Sequence, residues 1–453
     1  MTPTYKTSHG NQLAHILYAM SILAVLMTIG QLGCARQLLM ETPTIVSLGG
    51  IDPFQKVPAN RQTSVVPVFV ASGRTISGLE EPAKFYTNDR SRVVRLGVAT
   101  VEIGSGLEWP QVIKASTAIN RKHQPEIRLA EYKEYGILYT TVPHNLAKVD
   151  PDVAAQALDH GPADRLVEVV DRMLAESRRA QITIYVHGFN TKFESNLGIA
   201  AEFWHYMGRD GVMMSFDWPS RASLFDYQAD KANAAYATRQ FRELLTFLAA
   251  ETTTNRINII AHSAGCPIVI ESLRDLSIMH RGLDTEALRK RTRIGRVVLA
   301  APDMDLLVAV NAGLDGAGRV PEALAIYAST RDEALGFSGK IFGADRLGAS
   351  VHRLTDKERL VLRQSATQAI DVTNAERRSG SLLGHSYYHQ DPWVSSDLAL
   401  MVAVGATPTE RGLVRDDRTA FWSFPDDYQN RIKEIAKQLL AKYARKNQTD
   451  RGQ

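Results

Sequence analysis

Cysteine is nearly absent: the 453 residues hold two, Cys34 and Cys266. Cys34 sits in an apolar leader and Cys266 deep in the chain, so no disulfide framework is available and stability must come from a hydrophobic core. No HExxH pair or cysteine cluster occurs, which excludes the recognisable zinc patterns. His385, His389 and Asp391 lie close together, but Gly384 before and Pro392 after them favour a loop over a helix with both imidazoles on one face. No metal site is expected there. A glycine-rich phosphate loop and a dinucleotide fingerprint are both missing, so no cofactor is expected. Charge of one sign is also scarce. Lys and Arg number 53 against 49 Asp and Glu, interspersed, for a net charge of +4, and this leaves no basic footprint for nucleic acid.

What is there is ordinary globular material, 44% hydrophobic and 23% charged, long enough for one large or two medium domains. The one long apolar run, residues 16–30, follows Lys6 and is shorter than a comfortable membrane span, which fits a signal segment. Leu32-Gly33-Cys34 resembles the end of a bacterial lipobox, with Gln31 where that pattern has an aliphatic residue. The resemblance implies lipidation at Cys34. Every reading of this leader exports the protein, so a bacterial cell-envelope location is expected, with membrane contact through the N-terminus. The expected organisation is a leader over 1–34, a linker over 35–62, an α/β domain over 63–400 and a C-terminal helical extension over 401–453. The linker reading rests on its Thr, Pro, Gly and Gln content.

β-branched or apolar runs at 65–71, 96–103 and 136–142 predict antiparallel strands, with a turn at 86–90. From residue 166 the pattern changes to alternating helix and strand: strands at 182–186, 212–216, 257–262, 296–301, 324–329 and 369–373, with helices between them. That order predicts a mostly parallel, doubly wound sheet covered on both faces, behind N-terminal antiparallel strands. The last helix, 427–446, carries Ile432, Ile435, Ala436, Leu439, Leu440 and Tyr443 on one face, a stripe that docks on the body of the protein.

The chemistry concentrates at Ala261-His262-Ser263-Ala264-Gly265, where an apolar strand ends and a helix starts at once. A serine in such a strand-to-helix elbow is forced into strained backbone geometry that lifts its hydroxyl above the sheet, which makes Ser263 the candidate nucleophile. Upstream, His187-Gly188-Phe189-Asn190 ends the strand 182–186. Acyl transfer builds negative charge on a carbonyl oxygen, and fixed N–H donors can lower that barrier by about 3 kcal/mol each. Phe189 and Ala264 are the candidate donors. Cys266, at the start of a helix in a tight elbow, is expected to be a packed residue and no nucleophile.

These marks, together with Phe216-Asp217-Trp218-Pro219-Ser220, Ala301-Pro302-Asp303 and Gly384-His385-Ser386-Tyr387, resemble the exported or lipid-anchored bacterial α/β hydrolases grouped as a family of unknown function. The resemblance spans roughly residues 65–394 and implies the α/β-hydrolase fold and hydrolytic chemistry, with little about substrate.

A serine hydroxyl is a poor nucleophile at neutral pH, so an imidazole must take its proton and a carboxylate must orient that imidazole. In this fold both follow the serine in the chain. His280 comes too early and His352 precedes the last strand, which leaves His385 as the candidate base and His389 as its alternative. Asp332, after the strand 324–329, is the candidate acid, with Asp303 and Asp305 after the preceding strand as the alternative; Asp303 also suits a helix N-cap. The expected activity is carboxylesterase or lipase-like cleavage of a small-molecule ester or lipid. An acyltransferase or peptidase would use the same residues, and a non-catalytic envelope binding protein would carry them unused. Phe189, Phe193, Trp218 and Phe225 are expected to border the mouth of the site.

Overall fold

Short apolar runs bounded by turn residues become the middle of one twisted sheet. β1 (Val65–Ile76), β2 (Tyr86–Ile103) and β3 (Glu126–Ile137) pair antiparallel. β4 (Gln181–Val186), β5 (Val212–Asp217), β6 (Arg256–His262), β7 (Ile294–Ala300), β8 (Ala323–Ala328) and β9 (Thr367–Asp371) run parallel, and β1 joins them by pairing parallel with β5. Short β10 (Val414–Asp416) and β11 (Phe421–Ser423) complete one edge, β11 parallel to β9 and β10 antiparallel to β11. The order is β3-β2-β1-β5-β4-β6-β7-β8-β9-β11-β10. Chain direction across the sheet reverses between β4 and β6, so the crevice beyond their carboxyl ends is where this kind of sheet places a ligand.

The computed structural model describes residues 36–449 apart from 120, 122, 222–225, 333, 337–344, 350–354, 358, 360–366, 376–384 and 417–418, with backbone alone for 227 and 440–449. The described residues from Leu39 onward belong to one compact unit. The apolar leader and Cys34 lie outside the described residues. Among the described residues no helix is long and apolar enough to cross a membrane.

Alternation along the strands sorts the core. On one face Ile182, Ile184 and Val186 of β4 lie with Ile257, Ile259 and Ala261 of β6 under the helices Gly161–Ala175, Tyr227–Glu251 and Gly265–Met279. On the other, Tyr185, Ile260 and Val298 lie under Phe193–Tyr206 and Pro392–Ala399. Neither face is left to water, which is why the central strands read as continuous apolar runs.

Four expectations change. Residues 39–62 are no tether: Leu39, Met40, Ile45, Phe54 and Val57 are buried in the second core, and Thr44–Ser47 is helical. Composition misleads here because each apolar side chain fills a separate gap without any period. Residues 86–90 continue β2 where a turn was expected, pairing with β1 across two bulges despite their polar side chains. The third antiparallel strand ends at Ile137, and Tyr139–Thr141 is a 3₁₀ turn. The C-terminal extension adds β10 and β11 before its helix Tyr428–Thr449, whose Ile432, Ile435, Ala436 and Leu439 are buried as the stripe predicts.

Candidate active site

β6 ends at His262, and the next residue turns the chain by adopting φ 50°, a left-handed conformation rare outside glycine. Holding Ser263 there costs roughly 1–2 kcal/mol, so the surroundings must impose it. They do so through the backbone: Ser263 N–H donates to Ala300 O (2.9 Å), and Ser263 O accepts from Cys266 N–H (3.0 Å) and Asp303 N–H (3.2 Å). The turn leaves no space for side chains beside it. A Cβ on Gly265 would come 2.4 Å from His187 O, and one on Gly188 would lie 2.8 Å from His262 Nδ1 and 3.0 Å from Ser263 Cβ. Ala264 then caps the helix Gly265–Met279, so its N–H belongs to the unsatisfied first turn. Cys266 is buried and burial pushes its thiol well above the ordinary value, which leaves it protonated.

The structure brings Ser263, His385 and Asp332 into series. His385 Nε2 lies 2.8 Å from Ser263 Oγ, and His385 Nδ1 lies 2.8 Å from Asp332 Oδ2. The Asp332 side chain is fully buried while that of His385 keeps 21% exposure, so the imidazole borders solvent and its carboxylate does not. Asp332 is itself fixed, Oδ1 accepting from Leu335 N–H at 3.0 Å. The carboxylate accepts from Nδ1–H, which sets the tautomer that leaves Nε2 free to accept from the serine hydroxyl.

The alternatives stand elsewhere. Asp303 faces the Arg346 guanidinium at 3.4 Å. The helix Leu306–Leu314 is capped by Asp305, which accepts from Leu307 and Val308 N–H, so Asp303 is not its N-cap. His389 packs edge-on against Tyr388 and burial lowers its pKa, while the imidazole bonded to Ser263 Oγ is that of His385.

His385 reaches the serine because its neighbours are anchored, and sequence reasoning missed those anchors. His262 Nε2–H donates to His385 O (3.0 Å), and its ring stacks on Tyr388 with centroids 4.3 Å apart. Burial and the adjacent His385 hold His262 well below the ordinary histidine value, so it stays neutral beside His385. Tyr388 Oη bonds Tyr185 Oη at 2.7 Å. Tyr387 Oη donates to Tyr327 O (2.8 Å) and accepts from Ala301 N–H (3.0 Å), tying the histidine segment to the ends of β7 and β8. Its position directly before the serine was the available pointer to His262.

The model described as alpha/beta hydrolase of unknown function (DUF900) matches residues 163–402, more than half of the chain. The chain belongs to this α/β-hydrolase family. Among solved structures, esterase B from Lactobacillus Rhamnosis is 12% identical over 49% of this chain and 74% of that one, with a TM-score of 0.29. Its form inhibited by a tributyrin phosphonate is covered to 79%, by 59% of this chain, at the same identity and TM-score of 0.29. A lipase-esterase related protein from Clostridium acetobutylicum ATCC 824 is 14% identical over 50% of this chain and 92% of that one, with a TM-score of 0.22. No curated protein matches the chain.

In this α/β hydrolase the loop 188–191 after β4 stands beside the elbow, and Phe189 is half-buried in it. His187 packs against Trp218: its ring is buried and stacked on the indole (centroids 5.2 Å, planes 8° apart), and its Nε2 lies 3.4 Å from Asp217 Oδ1. Burial opposes ionisation of Asp217, but Arg74 and His187 outweigh it and hold that carboxyl below its ordinary value. Two aromatic expectations fail. Trp218 is fully buried, its Nε1–H donating to His187 O (2.8 Å), and Phe193 is packed among Tyr86 and Tyr132, so neither borders the mouth. Phe225 lies outside the described residues. Among the described residues no cluster of His, Cys, Asp or Glu is arranged to hold a metal ion.

Proposed function

We propose that this α/β hydrolase cleaves carboxylic esters through an acyl-enzyme on Ser263. The observation that carries the reading is the unbroken series Ser263 Oγ, His385 Nε2, His385 Nδ1, Asp332 Oδ2, with 2.8 Å at each contact, on a serine held at φ 50°. His385 takes the hydroxyl proton as Ser263 attacks the ester carbonyl, and Asp332 stabilises the imidazolium that forms. The N–H groups of Phe189 and Ala264 are the donors for the oxyanion, the second at a helix N-terminus whose dipole favours negative charge. His385 returns the proton to the leaving alkoxide, and a water activated by the same imidazole then releases the acid. The apolar leader ending at Cys34 supports an envelope-anchored enzyme.

A fluorophosphonate probe tests the chemistry. The expected result is one adduct on Ser263, absent in Ser263→Ala, with turnover of p-nitrophenyl esters that falls in the same variant by about a million-fold. A folded protein that neither labels nor turns over esters would be a binding protein on a hydrolase scaffold. Mass spectrometry of the membrane-extracted chain should find a lipid adduct at Cys34 that Cys34→Ala lacks; an unmodified N-terminus would remove the anchor.

A further inference from the structure

The loop that carries Phe189 is bonded from outside itself, by a buried serine in the loop after β5 and a buried arginine on β1. Asn190, the residue after Phe189, has φ 54°, a strained conformation that must be held in place. Its N–H donates to Ser220 Oγ at 2.9 Å, and Ser220 Oγ–H donates in turn to Asp230 Oδ2 at 2.7 Å. The next carbonyl, Thr191 O, accepts from Arg74 at 3.1 Å. The same guanidinium also donates to Ser220 O (3.1 Å), bonds the Asn88 side chain, and pairs with Asp217 Oδ2 at 3.0 Å. Arg74, Asp217 and Ser220 are all nearly or wholly inaccessible, so none of them touches a substrate. One arginine from β1 thus links the loop after β4 to the loop after β5.

Resting on the reading of Ser263 as nucleophile, we infer that Ser220 and Arg74 are positioning residues for the oxyanion: they clamp Asn190 and Thr191 so that the Phe189 N–H faces the site where negative charge develops. Without the Ser220 acceptor, Asn190 relaxes toward negative φ, the 189–190 peptide turns, and Phe189 shifts with it, which moves the 188–189 peptide that carries the Phe189 N–H. A displacement of about 1 Å at such a donor costs on the order of a hundredfold in rate. Substrate binding in the ground state does not depend on that donor, so the loss belongs to kcat and not to KM. This gives the Trp218-Pro219-Ser220 segment its role: Trp218 holds His187 O and Ser220 holds Asn190 N–H, two ends of one loop.

The test compares wild type with Ser220→Ala, Arg74→Lys and the double variant Ser220→Ala/Asn190→Gly, in p-nitrophenyl butyrate hydrolysis. Rates are taken per active site titrated with a fluorophosphonate, so that misfolded material does not count. Ser220→Ala is expected to lower kcat roughly 10- to 100-fold with KM within about twofold. Adding Asn190→Gly, which takes positive φ without strain, should restore part of that loss, a rescue that a purely structural defect would not show. Arg74→Lys, which keeps the charge but cannot reach two carbonyls and Asp217 together, should repeat the kcat loss and cover the case in which Ser220→Ala fails to fold. Wild-type kcat per titrated site in the folded variants, or a loss carried by KM, overturns the inference while leaving the hydrolase reading intact. A wild-type protein that neither titrates nor turns over ester ends the hydrolase reading, and the inference with it.

Discussion

On the serine side of the site, Ser263 and the loop 188–191 follow directly from β6 and β4, two strands paired in register with Val186 opposite Ala261. On the histidine side, Asp332 follows four residues after β8 and His385 fourteen after β9, and they are held by hydrogen bonds of the His262 ring, of the neighbouring Tyr387 hydroxyl and of Leu335 N–H. The first side is governed by backbone, with strain at Ser263 and Asn190 and no space for a Cβ at Gly188 or Gly265. The second is governed by hydrogen bonds that can be removed one at a time. Damage at the elbow itself should therefore be all-or-none, whereas damage to the histidine side, like damage to the Ser220–Arg74 clamp on the loop 188–191, should be graded.

The steepest point of that grade is the carboxylate. Asp332→Asn should leave the fold intact by circular dichroism and reduce kcat by about 10⁴, because the amide favours the wrong imidazole tautomer. A loss under tenfold would transfer the orienting role to another group. His262→Gln removes the ring that stacks on Tyr388 and alters the contact to His385 O; a displaced imidazole should lower kcat by roughly 10- to 100-fold with little change in KM. Unchanged kcat would reduce His262 to core packing.

Acid should separate the sides further. His262 and His205 are kept neutral by burial, while in the unfolded chain each takes a proton near its ordinary value of 6.5. Their folded values are lowered, so the unfolded state binds more protons below pH 6.5. Stability is complete above that pH and declines beneath it by up to about 1.4 kcal/mol per pH unit for each histidine. Urea midpoints measured from pH 7.5 to 5.5 check this, with a shallower decline expected in His262→Gln; a flat wild-type profile would contradict it. The smallest effect should come from Tyr387→Phe, which loses the hydroxyl's bonds to Tyr327 O and from Ala301 N–H but leaves those two groups bonded to each other. About 1 kcal/mol of stability should go, with a kcat loss below the one seen in His262→Gln. A Tyr387→Phe loss exceeding that of His262→Gln would invert the ranking of the two anchors.

Much of this was legible because it is local. Apolar runs of strand length alternating with amphipathic helices dictate a parallel sheet, and a serine between Ala261 and Gly265 at a strand end dictates an elbow, since both follow from the nearest few residues. The Asp303 and His389 alternatives were open in the sequence because chain order restricts where an acid and a base fall without measuring a distance. Trp218 and Phe193 were misplaced for the same reason: a loop aromatic reads alike whether it borders a cleft or fills the core beneath it. An arginine in β1, just past its apolar run, was the available pointer to a buried ion pair, but its partner Asp217 lies on another strand.

By itself the sequence determined the order of strands and helices, the elbow at Ser263 and the short set of downstream histidines and aspartates from which a site can be built. Periodicity and turn chemistry act over a few residues, so one chain suffices to display them. Which imidazole and which carboxylate meet the hydroxyl, what holds them there, and that residues 39–62 belong to the core were decided only by tertiary packing. The contacts that complete the series join positions more than fifty residues apart, and they form only after the sheet has brought the ends of β4, β6, β8 and β9 together.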